Sequence, residues 1–186
     1  MEIQHVNIKM FVQDEFKADM HDVIKVFHKW TSEQSLDELL IDVADYLHVP
    51  EGPGIVLVGH EADYAIDNAQ GRWGLLYNRK ASVDGDNKQK LNQAFAAASR
   101  ACQLLENEFA GGELKFSRNE FLIVVNDRSL VPNTADSFSN LKADLHAFLQ
   151  DVLGDDGIEL SQDPEPRRRF TVNVKTSKPF DLAVSG

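Results

Sequence analysis

The chain has 186 residues, with 30 Asp and Glu against 19 Lys and Arg and a formal charge of -11. That surplus repels phosphate backbones and anionic lipid, so composition argues against nucleic acid or a membrane as partner. At 42% hydrophobic residues the chain has enough apolar material for a core of its own.

The lone Cys102 has no partner for an internal disulfide, which fits a reducing compartment. No basic stretch followed by an apolar core opens the chain, and no run approaches the roughly 18 apolar residues of a membrane span. The expectation is a cytoplasmic protein.

In residues 3–12, Val6, Ile8, Met10 and Val12 alternate with His5, Asn7 and Lys9, which predicts a half-buried strand with its polar face in water. From Asp14 onward, Phe16, Met20, Val23, Ile24, Phe27 and Trp30 recur at steps of three and four, the stripe of an amphipathic helix. His21 and His28 fall off that stripe and are expected in solvent. Residues 36–48 fit a helix, with Ser35 and Glu38 at capping-box spacing, or a strand. The strand is preferred, because 55–58 is an apolar run and the Pro-Glu-Gly-Pro-Gly turn between them would close a hairpin.

Gly59 allows a bulge before the polar residues 60–64, and residues 67–71 read as a turn that leads into a strand at 72–79. Leu91, Phe95, Ala98, Cys102, Leu105 and Phe109 define a long helix stopped by Gly111 and Gly112. Residues 114–116 and 121–125 flank a short polar connection and read as a second hairpin. Phe138, Leu141, Leu145, Phe148 and Val152 mark a helix ending at Gly154, and 158–160 a short edge strand. Phe170, Val172 and Val174 alternate in a last strand, and 179–186 reads as a loose tail.

The predicted fold class is α+β: a mostly antiparallel sheet with helices packed on one face. Residues 72–176 read as the ferredoxin-like βαββαβ pattern, extended by an N-terminal βαββ segment. A single domain over 1–186 is expected, with 1–70 and 71–178 as possible substructure.

The densest set of potential ligands is Asp42, Asp45, His48, His60, Glu61 and Asp63 on two neighbouring elements. Asp42, Asp45, His48 and His60 are the candidate metal ligands, and His60, Glu61 and Asp63 the candidate catalytic groups, since carboxylate and imidazole serve both hard cations and proton transfer. Strand alternation sends His60 and Glu61 to opposite faces unless Gly59 distorts the backbone, and no metal-binding spacing is present. A solvated hairpin accounts for the same residues.

The Gly-Pro-Gly and Gly-Gly pairs lack phosphate-loop spacing, no nucleophile elbow occurs, and no cofactor is expected. Arg72, Arg79, Arg128, Arg167, Arg168 and Arg169 cluster near strand ends and could form an anion-binding patch, although arginines also protect sheet edges. The expected function is binding or assembly without catalysis, through a homodimer joined at a free sheet edge (strand 3–12 or strand 170–175) or through another protein or small-molecule partner. The alternative is a metal-dependent or acid-base enzyme using residues 42–63.

Overall fold

The computed structural model describes residues 1–50, 52–154 and 157–182. In chain order the elements are β1 (Val6–Val12), α1 (Met20–Glu33), β2 (Leu40–Asp45), β3 (Ile55–Gly59), β4 (Ala62–Asp67), β5 (Gly74–Arg79), α2 (Asn87–Glu108), β6 (Phe116–Val125), α3 (Ala135–Leu153), β7 (Ile158–Gln162) and β8 (Phe170–Thr176). The strands form one eight-stranded sheet in the order β2-β3-β4-β5-β1-β6-β8-β7, antiparallel at every pairing.

Register explains where the core lies. One cross-strand row runs Val43, Leu57, Tyr64, Tyr77, Ile8, Ile123, Val172, and all but the first of these are buried. Alternation puts every residue of this row on one face. That face receives all three helices: α1 lies over β2 and β3, α2 over β1 and β5, and α3 beside α2. Their stripe residues Phe27, Trp30, Phe95, Leu105, Leu145 and Phe148 join the strand residues in a single cluster. Among the described residues no helix is long and apolar enough to cross a membrane.

Local chemistry sets the helix ends. Asp19 caps α1 through a 2.7 Å bond from His21 N, and Asp86 and Gln89 make a reciprocal capping box on α2. Thr134 caps α3, which closes at Gly154 with φ of 56°. Gln34 ends α1 in the left-handed region, and its side-chain amide bonds both backbone groups of Leu40, tying helix to strand.

Several expectations are corrected. Phe16 precedes α1 and stacks on Trp73 at 4.7 Å, so the helix begins later than its apolar stripe suggests. Residues 62–67, of which 62–64 read as a polar segment and 67 as the start of a turn, form β4, because Gly59 lets the chain reverse within two residues. A side chain there would meet Ala62 O at 2.3 Å. Residues 116–125 are one strand and not a hairpin, since none of 117–119 takes the positive φ of a tight reversal. The C-terminal order is therefore βαβαββ, and the ferredoxin-like pattern does not describe it. Phe180 and Leu182 are buried, so the tail is docked that far, while 183–186 lie outside the described residues. Finally, β1 and β8 are interior strands, and the ends of the sheet are β2 and β7.

Candidate functional site

The other half of the same alternation builds the helix-free face. Its central row runs Ala44, Val56, Ala65, Leu76, Lys9, Leu122, Asn173, Ser161. Above this face lies a cleft of about 740 Å³, walled on one side by the β4–β5 connection at 67–72 and on the other by the β7–β8 connection at 163–169. Phe11, Leu76, Leu122 and Val124 give it an apolar floor.

Lys9, expected in water, is 4% exposed, because the strand carrying it is central and both walls rise beside it. Its ammonium donates to Asp67, and both side chains are nearly inaccessible at 5% and 7%. Gly74 makes this pairing possible: a Cβ there would meet Lys9 Cε at 2.9 Å and Met10 O at 2.5 Å. Asp67 Oδ1 also accepts from Ala69 N at 3.0 Å, which shapes the first wall.

Arg72 lies 3.5 Å from the centroid of the Phe11 ring and grips Glu120 with two 3.0 Å bonds. The Arg72 bonds hold the Glu120 carboxyl below the usual range against the opposing pull of burial, with help from Asn173 Nδ2 at 2.9 Å. In the opposite wall, burial raises Asp163 while the Glu165 N–H and Arg168 lower it, and the lowering prevails. Arg168 bonds that carboxylate at 2.8 Å.

Two cleft cations remain outside this pairing. Among the described residues neither Arg128 nor Arg169 forms an ion pair, and Arg169 Nη1 reaches only Asn126 Oδ1 at 3.3 Å. Asn7 faces Val124, a residue of the cleft floor, on the same side of the sheet as Lys9. It is fully buried, and among the described residues both polar atoms of its side chain lack a hydrogen-bond partner, as does Asn173 Oδ1 in the cleft lining. An unpaired buried amide group costs about 1–3 kcal/mol, so Asn173 Oδ1 leaves unused polar capacity in the cleft lining.

No family model matches this chain, and no curated protein does.

Of the arginines singled out in the sequence, Arg72, Arg128, Arg168 and Arg169 converge on this cleft. Arg79 turns elsewhere, bonding Glu61 at 3.2 Å and Ala81 O at 3.0 Å, and Arg167 is exposed outside the lining. The carboxylates and imidazoles of 42–63 are spread over local contacts. Asp42 accepts from Val43 N, Asp45 from Leu47 N, and Asp63 binds Lys80 at 2.7 Å, while His48 and His60 are exposed. Among the described residues no three His, Cys, Asp or Glu gather as a metal site would require.

Sequence reading missed Lys9, Phe11, Asn7 and Asp67. The available signal was the near-continuous apolar run of β1, interrupted only by Asn7 and Lys9, since strands buried on both faces read that way.

Proposed function

We propose that this is a cytoplasmic binding protein without catalytic activity of its own, which holds an organic anion with an apolar body in the cleft of the helix-free face. The observation that carries this reading is an apolar floor ending at two cations, Arg128 and Arg169, that no carboxylate neutralises among the described residues. The cleft volume falls in the range of small-ligand sites, roughly 300–1,000 Å³. Five basic and three acidic side chains line it, a local excess of positive charge on a chain of net charge -11. A carboxylate or phosphate would complete the arginines through charge-assisted bonds, and the apolar body would cover Phe11, Leu76 and Leu122. Lys9, Arg72 and Arg168 stay locked in ion pairs and Glu165 accepts from Arg167 N at 3.1 Å, which suits recognition by a fixed field.

Anilinonaphthalene sulfonate, an aromatic anion, is a suitable probe. Its fluorescence should rise saturably on the native protein, and Arg128→Ala with Arg169→Ala should weaken binding about tenfold, the loss expected for one charge-assisted contact. Unchanged affinity in that double variant would remove the cleft as the binding site. Self-association, the assembly form of the expected function, has β2 and β7 as its available edges.

A further inference from the structure

Five of the exposed large apolar side chains among the described residues, Leu39, Ile41, Tyr46, Leu47 and Val49, bracket the single strand β2 at one end of the sheet. Ile41 is 54% exposed and lies at the register shift between Leu40 and Asp42, where a bulge interrupts the pairing with β3. Natural edges are commonly blunted by lysine, proline or a covering loop. Here the bulge, Gln34 on the backbone of Leu40, and the Asp42 carboxylate on Val43 N–H cover part of the edge, and the apolar side chains stay in solvent. No Lys or Arg occurs between Lys29 and Arg72, whereas Asp37, Asp42, Asp45 and Glu61 are all exposed in that span.

We propose that the β2 edge is a docking surface for an extended segment of another protein in which apolar residues alternate with Lys or Arg. Such a segment lies along β2 from Asp42 to Asp45 and meets Ile41, Tyr46 and Leu47 with its apolar side chains; Asp42 lies on the helix-free face and Asp45 on the helix face, so cations on either side of the added strand meet one of the two carboxylates. A second copy of the chain fits this edge poorly. An antiparallel pairing of β2 with itself brings the two pairs of aspartates together with no cation from either partner, a like-charge arrangement that disfavours association. This surface is separate from the cleft, none of whose lining residues belongs to β2.

Fluorescence anisotropy with a labelled peptide of alternating lysine and valine, titrated with the full chain, tests the proposal. A peptide of alternating glutamate and valine serves as control. The lysine peptide should bind, and the glutamate peptide should bind at least tenfold more weakly. Ile41→Ser with Leu47→Ser leaves every charge in place and alters only exposed side chains, so the fold is expected to hold, checked by its thermal melt. This variant should weaken the lysine peptide about tenfold. Undiminished binding by it would reduce the effect to general charge attraction and overturn the proposal, as would equal binding of both peptides. A sedimenting species of twice the chain mass that Ile41→Ser with Leu47→Ser abolishes would also overturn it, by assigning the edge to a second copy.

Discussion

The ammonium of Lys9 and the carboxylate of Asp67 are paired beneath the cleft, with 5% and 7% of their side chains exposed. Breaking a buried pair from one side leaves an uncompensated charge and costs about 3–5 kcal/mol, whereas replacing both members with apolar residues is often neutral. Asp67→Ala should therefore lose stability in that range in denaturant melts. Lys9→Met with Asp67→Leu should recover most of it, less the bond from Ala69 N. Equal losses in the single and double variants would show that the pair is not what holds the two strands' side chains in place.

Phe180 meets Phe121 at 5.5 Å and Phe95 at 6.0 Å between ring centroids, and Phe95 in turn meets Phe148 at 5.8 Å. The tail thus closes one side of the core. Phe180→Ala and Phe95→Ala should each cost about 3–5 kcal/mol, and His21→Ala, on the exposed side of α1, less than about 0.5. A neutral Phe180→Ala would return the tail to the loose segment that the sequence suggests.

Opposite ends of the pH scale probe two sites. The folded Glu120 carboxyl is held below its usual 4.5, so its contribution is complete above that value and is lost as pH falls through the lower folded value. Glu120→Gln should flatten the decline in stability between about pH 5 and pH 3. Burial pushes the Tyr77 hydroxyl up to about 12, the bond from Gln93 opposing and the Glu38 charge adding, and burial drives Tyr64 higher still. Both hydroxyls donate to Glu38, at 3.2 and 2.6 Å. A raised phenol stabilises the fold fully below its unfolded value near 10 and loses that contribution as pH rises through 12. Ultraviolet titration should show alkaline unfolding accompanying the ionisation of these two tyrosines, and a fold intact after both have ionised would contradict their burial.

The carboxylates of 42–63 make local backbone bonds and ion pairs and the imidazoles of His48 and His60 are exposed, so Zn²⁺ or Mn²⁺ should leave the melting temperature of metal-stripped protein unchanged. Binding to the native state would raise it by mass action. A rise that His60→Ala abolishes would restore the metal-dependent enzyme as the reading of this region.

Most elements were legible because each rests on a local period. The stripe from Leu91 to Phe109 gives α2 whatever surrounds it, and the alternation of Phe170, Val172 and Val174 gives β8. The two misread strands, β4 and β6, fall where polar residues lie inside elements. Asp63 interrupts β4, which its ladder to β5 keeps extended, and Ser117 to Asn119 interrupt β6 where the register to β1 shifts, held there by the Arg118–Glu106 contact and the bond from Phe180 N to Arg118 O.

The sequence by itself determined the α+β class, the helix faces and the strand faces, since a side chain's direction along a helix or strand depends only on its own element's geometry. Only the tertiary structure decided that β1 is central, that β2 is an apolar and acidic edge, and that Lys9, Asp67, Arg72, Arg128 and Arg169 share one cleft. These residues stand far apart in the chain and meet through strand order, which is set by the sum of many long-range pairings and leaves no period within any single strand.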